Sequence, residues 1–152
     1  MNKNNDSLIT GNPGETAIDC SSPFDEVTTP GTTVISPNHP GNYESNKVCQ
    51  ITIRFSERVR IRFEAFNIES HSSCNYDYLE VRDGESSSSN LIGSKLCGTT
   101  IPEAMESSGS SMTLIFRSDS SVVRSGFKLI AELGKNSIII CFLSIPTMIK
   151  TK

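Results

Sequence analysis

The stretch FNIESHSSCNYDYLEV, residues 66–81, contains two short apolar segments separated by a polar, serine-rich loop. Each apolar segment is typical of a β-strand, and the loop has the composition of an exposed connection. Two acids, Glu69 and Asp77, lie on either side of Cys74 in this loop. Acids in such a loop can simply be solvated, or they can be part of a cation site. The choice depends on what the rest of the chain supplies.

Strand patterns continue on both sides of this stretch. In CQITIRF, residues 49–55, apolar and polar residues alternate as they do in a half-buried strand. The same alternation returns at residues 59–63 after a three-residue turn, which predicts a hairpin of two adjacent strands. Further strand-like segments are YDYLEVRDG (76–84), SMTLIFRSD (111–119) and GFKLIAEL (126–133). Many short strands without a helical period indicate an all-β, antiparallel β-sandwich.

The composition limits the class of protein. A chain of 152 residues with 36% apolar and 20% charged residues is long enough for one globular domain. A net charge of −3, without a cluster of Lys or Arg, gives no electrostatic basis for binding nucleic acid or an anionic membrane. The apolar stretch 138–148 is shorter than the ~20 residues of a membrane span and is interrupted by Pro146. We therefore predict no nucleic-acid partner and no membrane span in this chain.

The cysteines indicate an oxidising environment. No C-x-x-C pair occurs, and the two histidines are not spaced with the cysteines as zinc ligands. The spacing favours two disulfides that close loops of similar length, but four cysteines allow three pairings, so the spacing leaves the pairing open. Disulfides persist in secreted and cell-surface proteins, which predicts a secreted or extracellular location. The five cysteines are Cys20, Cys49, Cys74, Cys97 and Cys141.

Three segments differ in composition. Residues 1–19 are polar and are predicted to be a tail or linker without the apolar core of a signal peptide, so we expect the sequence to be part of a longer protein. Residues 20–133 contain all the strand signals and are predicted to form the domain. Residues 134–152 are an apolar tail that we expect to lie outside the domain. The sequence does not indicate whether Cys141, in this tail, is free or bonded to another chain.

A series of short motifs makes residues 20–133 resemble the CUB domain family. The motifs are Cys20, SPNHPGNY (36–43), Cys49, FEAFNIE (63–69), CNYDYLEVRDG (74–84), LCG (96–98), Pro102, LIFRSD (114–119) and GF (126–127). The resemblance implies a jelly-roll-like sandwich of two antiparallel sheets, with disulfides Cys20–Cys49 and Cys74–Cys97. The sequence departs from the family pattern at His39 and Ile51, where the family often has aromatic residues.

The resemblance also implies one Ca²⁺ bound in loops at one end of the sandwich. The residues at the family's ligand positions are Glu69, Asp77 and Asp119, with an oxygen near Ser120 completing the sphere and Tyr43 supporting the site by hydrogen bonding. The chemistry agrees with this implication, because Ca²⁺ takes six to eight oxygen ligands and favours carboxylates. Three carboxylates from separate loops repel one another unless a cation neutralises them. Glu69 and Asp77 are therefore interpreted as two parts of a calcium site.

Other polar and aromatic residues near this loop match no ligand position. Glu80, Asp83 and Glu85 are predicted to face solvent, and Tyr76 and Tyr78 are predicted to lie in or near the core.

Three functions are compatible with these features. The first is a non-catalytic extracellular protein-binding module, stabilised by Ca²⁺, in which Glu69 and Asp119 receive a Lys or Arg of a protein partner. The second is a fragment of a larger CUB-containing secreted protease, of the astacin-type metalloprotease or complement-type serine protease kind. The chain contains no H-E-x-x-H motif and no nucleophile context, so it is not expected to be an enzyme by itself. The third is a free-standing secreted CUB protein that binds carbohydrate or a surface. The oligomeric state is not indicated by the sequence.

Overall fold

The computed structural model describes residues 14–22 and 25–135. Over these residues the chain forms ten β-strands and no helix, which confirms the predicted all-β fold. The strands are β1 (Glu15–Ala17), β2 (Glu26–Val27), β3 (Thr32–Ile35), β4 (Val48–Arg54), β5 (Val59–Asn67), β6 (Tyr78–Asp83), β7 (Asn90–Leu91), β8 (Met105–Glu106), β9 (Ser111–Arg117) and β10 (Gly126–Leu133).

The strands form two five-stranded sheets that enclose one core. One sheet has the order β1-β3-β10-β5-β8 and the other β2-β4-β9-β6-β7. All pairs are antiparallel except β1 with β3 and β2 with β4, each of which adds a parallel strand at an edge. The predicted β-sandwich is therefore confirmed, with two parallel edge pairs that the sequence did not indicate.

The alternation of apolar residues places one face of each central strand in the core. Ile51 and Ile53 of β4, Ile61 of β5, and Leu114 of β9 are completely buried. Burying such a side chain stabilises the fold by roughly 1.5–3 kcal/mol. At the end of the core nearest the predicted calcium site, the aromatic ring of Phe116 lies edge-on against Tyr43, with 4.9 Å between ring centroids.

The predicted hairpin of β4 and β5 is wrong. These strands belong to different sheets: β4 pairs with β2 and β9, whereas β5 pairs with β8 and β10. The residues between them therefore cross from one sheet to the other. Alternation specifies which side chains face the core, but it does not specify which strand supplies the hydrogen bonds. Both arrangements bury the same side chains, so the sequence pattern does not distinguish them.

The sandwich begins before Cys20. β1 pairs with β3, and the Ile18 amide donates a 3.0 Å hydrogen bond to the Ile35 carbonyl. The Ile18 side chain is only 2% exposed, so the predicted polar tail over 1–19 does not extend to residue 19. An edge strand is joined by backbone hydrogen bonds and needs few apolar side chains, which is why its polar sequence resembled a linker. At the C-terminal end of the described chain, the Gly134 amide donates a 2.7 Å hydrogen bond to the Arg58 carbonyl, directly after β10.

The two disulfides join Cys20 to Cys49 and Cys74 to Cys97, which confirms the pairing implied by the resemblance. The first connects the segment after β1 to the beginning of β4, and the second connects the loop after β5 to the segment after β7. No helix within 14–22 and 25–135 is long and apolar enough to cross a membrane. The predictions for residues 1–13 and 136–152, including Cys141, lie outside the described residues.

Candidate metal centre

Three strand termini meet at one end of the sandwich. β6 begins at Tyr78, which is paired with Arg117 at the end of β9, and β5 of the opposite sheet ends at Asn67. Glu69, Asp77 and Asp119 each lie one or two residues beyond these termini. The topology therefore brings three acids from distant parts of the sequence to the same place.

The three acids form a compact cluster. One carboxylate oxygen from each of Glu69, Asp77 and Asp119 lies within 4.8 Å of the other two. Asp77 is completely buried, Glu69 is 9% exposed, and Asp119 is half-buried. Ca²⁺ binds oxygen at about 2.3–2.6 Å, so two ligands on opposite sides of the ion are about 5 Å apart. The spacing of the cluster is compatible with an ion between the three carboxylates.

Tyr43 connects two of the acids. Its hydroxyl donates a 2.6 Å hydrogen bond to Asp77 Oδ2 and accepts a 3.2 Å bond from the Glu69 amide. The Asp119 amide donates to the other oxygen of Asp77, Oδ1, at 2.7 Å. Burial, followed by the hydrogen bond to Asp77, raises the pKa of Tyr43 well above its usual value, so the hydroxyl stays protonated and remains a donor. These bonds occupy both oxygens of Asp77 and fix its carboxylate in place.

Glu69 is the least satisfied of the three acids. Its Oε2 is buried and accepts no hydrogen bond from any residue in the described part of the chain. Burial raises the pKa of Glu69 first, and the negative charges of Asp77 and then Asp119 raise it further, whereas Arg124 and His71 oppose the shift. A buried oxygen without a donor is costly unless a cation compensates it. The donor set, all oxygen and mostly carboxylate, is the kind that Ca²⁺ prefers.

The remaining predicted ligand, Ser120, directly follows Asp119 and is exposed. Its part as a ligand stays a prediction. Asp119 Oδ1 also accepts a 2.9 Å bond from the Ser121 amide, which the sequence did not indicate. Sequence reasoning also missed Ser118, the serine of the F-x-S-D motif, which is 9% exposed and hydrogen-bonded to the loop that follows Tyr43. The motif contained a signal for it, because Ser118 directly precedes the predicted ligand Asp119.

Two predictions about neighbouring residues are wrong. Glu80, expected to face solvent, is 9% exposed and forms a 2.6 Å ion pair with Arg82 on the outer face of its sheet. Tyr76, expected in or near the core, is 47% exposed and lies with its ring centroid 4.3 Å from that of His71. The alternation along β6 predicts that Leu79 and Val81 face the core, but it does not predict what covers Glu80 on the opposite face. Tyr76 lies before the beginning of β6, so the alternation does not apply to it.

A two-sheet sandwich with two disulfides and an acidic cluster at one end defines a class of small, disulfide-bonded β-sandwich modules. Within that class the chain belongs to the CUB domain family, whose model matches residues 20–130. It is 45% identical over 96 residues to bone morphogenetic protein 1 of Xenopus laevis, covering 62% of this chain and 13% of that protein. It is 40% identical over 115 residues to blastula protease 10 of Paracentrotus lividus, covering 74% of this chain and 18% of that protein. The chain thus spans less than a fifth of each relative.

Solved structures show the same fold. The crystal structure of the MASP-1 CUB2 domain bound to Ca²⁺ superposes with a TM-score of 0.63 at 32% identity, covering 71% of this chain and 96% of that domain. The full extracellular region of zebrafish Gpr126/Adgrg6 gives a TM-score of 0.63 at 30% identity, covering 73% of this chain and 14% of that protein. A structure of the same family thus contains Ca²⁺, and this chain has an acidic cluster whose spacing suits a metal ion.

Proposed function

We propose that this CUB domain binds one Ca²⁺ through Glu69, Asp77, Asp119 and Ser120, with Tyr43 positioning Asp77. The observation that carries the proposal is the buried Glu69 Oε2, which lacks a hydrogen-bond donor beside two further carboxylates within 4.8 Å. Without a cation, the three acids repel one another in a poorly hydrated place. The Ca²⁺-bound CUB2 domain of MASP-1 supports the choice of ion.

The bound ion prepares the site for a basic partner. Three ionised carboxylates carry three negative charges and Ca²⁺ cancels two, which leaves a net charge of about −1 at fixed oxygen atoms. A Lys or Arg side chain of an extracellular protein partner is the complementary group, and Glu69 and Asp119 receive it. The module itself is non-catalytic. The two disulfides support an extracellular location.

Calorimetric titration of Ca²⁺ into the oxidised full chain tests the metal site. We expect one ion to bind with a Kd of about 10⁻⁴–10⁻³ M, the range of extracellular calcium modules. Asp119→Ala should weaken binding at least tenfold, because it removes one of the three carboxylates of the cluster. Glu103→Ala, which removes an exposed acid of another loop, is the matched control and should bind as the wild type does. Equal affinity of the wild type and Asp119→Ala would contradict the ligand assignment.

A second experiment tests the partner chemistry. A lysine-containing peptide immobilised at high density should retain the chain in the presence of Ca²⁺, and its acetyl-lysine counterpart should not, since acetylation removes the charge. Chelation of Ca²⁺ should release the chain. Raising the ionic strength should weaken retention, as expected for a charge-dependent contact. Retention by both peptides, or retention that does not depend on Ca²⁺, would contradict the basic-partner proposal while leaving the metal site intact.

The relatives favour a second candidate at the level of the parent protein. Blastula protease 10 is named as a protease, and the region matched by this chain covers only 18% of it. This domain would then be a non-catalytic module of a larger secreted protease. The full transcript tests this candidate: a zinc-protease H-E-x-x-H motif or a serine-protease domain in frame supports it. A stop codon and a signal peptide that enclose the CUB domain alone would contradict it.

A further inference from the structure

Of the three acids in the cluster, Asp119 depends most on loop contacts. Glu69 lies two residues beyond β5 and directly follows Ile68, which forms a β-bridge with Gly98. Asp77 precedes β6 and is fixed by hydrogen bonds to both of its oxygens. Asp119 lies in the segment 118–125 between β9 and β10, which contains no strand. Its position is therefore set by whatever holds that segment.

The loop after Tyr43 holds it. Ser118 and Lys47 exchange two hydrogen bonds: the Ser118 amide donates to the Lys47 carbonyl at 3.0 Å, and the Lys47 amide donates to Ser118 Oγ at 3.0 Å. The Ser118 hydroxyl in turn donates to the Glu44 carbonyl at 2.6 Å. One residue further along, the Asn46 amide donates to the Asp119 carbonyl at 2.7 Å. Ser118 directly precedes Asp119, and its hydroxyl is hydrogen-bonded to both ends of the 44–47 loop.

We propose that Ser118 is a positioning residue for the calcium site, an inference that rests on the proposed Ca²⁺ function. Ser118 does not touch the cluster; it acts through the backbone of Asp119. Removing its hydroxyl leaves the part-buried Lys47 amide and Glu44 carbonyl without that partner, so the two loops rearrange to find others. If Asp119 is displaced, the three carboxylates are no longer pre-arranged to bind the ion. Removing a supporting partner of a metal ligand typically lowers metal affinity 10–100-fold.

The same fold supplies a matched control, Ser107. This serine is completely buried, and its hydroxyl likewise accepts from a backbone amide (Val59, 2.9 Å) and donates to a carbonyl (Gly109, 2.7 Å), with the Val59 carbonyl also within reach at 3.3 Å. Val59 begins β5, whereas Glu69 follows the other end of that strand, so Ser107 lies far from the acids. Ser107→Ala therefore reproduces the structural cost of losing a buried hydroxyl without reaching the cluster.

The test measures two quantities for each variant of the oxidised full chain. One is the melting temperature in chelator, and the other is the Kd for Ca²⁺ at a temperature well below melting. We expect Ser118→Ala and Ser107→Ala to lower the melting temperature, but only Ser118→Ala to raise the Kd, by about tenfold or more. Ser118→Thr, which keeps the hydroxyl, should retain most of the affinity. A Kd for Ser118→Ala equal to that of Ser107→Ala would overturn the inference.

A measurement on the wild-type chain covers the case in which Ser118→Ala does not fold. If the 44–47 loop and the metal site are coupled, Ca²⁺ must slow amide exchange at Asn46 and Lys47, because coupling is reciprocal. Unchanged exchange at these amides overturns the inference, although the calcium site itself stands. Failure of the wild-type chain to bind Ca²⁺ would instead overturn the proposed function and this inference with it. The two failures are therefore distinguishable.

Discussion

At the scale of single residues, neutral hydrogen-bond donors hold the acidic cluster together, whereas the negative charges of its carboxylates repel one another. Tyr43 and the Asp119 amide satisfy Asp77, but Glu69 Oε2 has no donor within the described chain. Burial and the charges of Asp77 and Asp119 accordingly raise the pKa of Glu69. The cluster is thus a place where the protein without calcium is less stable than its packing alone would make it.

Replacing Glu69 by Gln should therefore have opposite effects with and without Ca²⁺. A carboxyl group whose pKa is higher in the folded state than in the unfolded state contributes most stability below the unfolded value, near pH 4.3, and loses that contribution as the pH rises through the folded value. In chelator, the melting temperature of the wild type should fall relative to that of Glu69→Gln between about pH 4 and neutrality. With saturating Ca²⁺ at pH 7, the wild type should melt higher.

Melting curves at several pH values, in chelator and in Ca²⁺, measure both effects. Glu103→Gln, at an exposed position, controls for the loss of one negative charge and should follow the wild type under all conditions. A Glu69→Gln chain that melts below the wild type in chelator at pH 7 would show that repulsion within the cluster does not limit stability.

The sequence predicted the members of this cluster better than their surroundings. The resemblance to the CUB family pointed to Glu69, Asp77 and Asp119 through their places in the matched motifs. They gave no measure of burial, which depends on the loop packed above each acid. The hydrogen bonds of Ser118 were likewise not predicted, because its partners Glu44 and Lys47 are some seventy residues away in sequence.

At the scale of elements, the beginning of β10 is fixed by one close approach. Gly126 has a φ of +74°, and a Cβ built on it would lie 1.8 Å from Ser36 Oγ. That hydroxyl accepts the Phe127 amide at 2.9 Å, which joins the end of β3 to the first residues of β10. A glycine here satisfies both the backbone conformation and the lack of space.

Gly126→Ala should therefore destabilise the fold by about 2–5 kcal/mol, the sum of backbone strain and overpacking. Gly31→Ala is the matched control: it has a φ of +88°, but no atom lies within 4 Å of the added Cβ. It should cost only the strain, about 1–2 kcal/mol. Urea denaturation of both variants measures the difference. Equal losses would show that the structure accommodates the methyl group by moving Ser36.

The sequence predicted the strands whose side chains face the core. It did not predict the strands that join a sheet edge mainly through backbone hydrogen bonds. β4, β5 and β10 carry apolar residues with a period of two, β9 is buried on both faces, and all four were expected. β1 and β2 join edges through backbone hydrogen bonds, which leave no pattern in the side chains. The crossing between β4 and β5 was mistaken for a hairpin because a three-residue connection suits either path. Pairing is a property of the whole sandwich, in which β4 pairs with β9 in one sheet and β5 pairs with β10 in the other.

At the scale of the whole molecule, the site exists because loops from distant parts of the chain are fixed at one end of the sandwich. The two disulfides contribute unequally to this end. Asp77 lies between the bonded Cys74 and Cys97, and Glu69 lies five residues before Cys74. No predicted ligand lies between Cys20 and Cys49. The supporting residue Tyr43 lies in that stretch, but its own hydrogen bonds to Asp77 and Glu69 hold it in place. The 70–77 loop, which joins Glu69 to Asp77, is therefore the one anchored by Cys74–Cys97.

Removing either disulfide should destabilise the fold similarly, but only one removal should strongly weaken Ca²⁺ binding. The bonded cysteines are 29 and 23 residues apart, so loop closure contributes nearly the same in each case, about 3–4 kcal/mol. In the folded fraction of Cys74→Ala/Cys97→Ala, the 70–77 loop has more conformations available, and binding must order it again at a cost in affinity. Cys20→Ala/Cys49→Ala leaves that loop anchored at Cys74. Urea denaturation and Ca²⁺ titration of both double variants measure the two effects, and equal Ca²⁺ affinities would mean that the strands alone position Glu69 and Asp77.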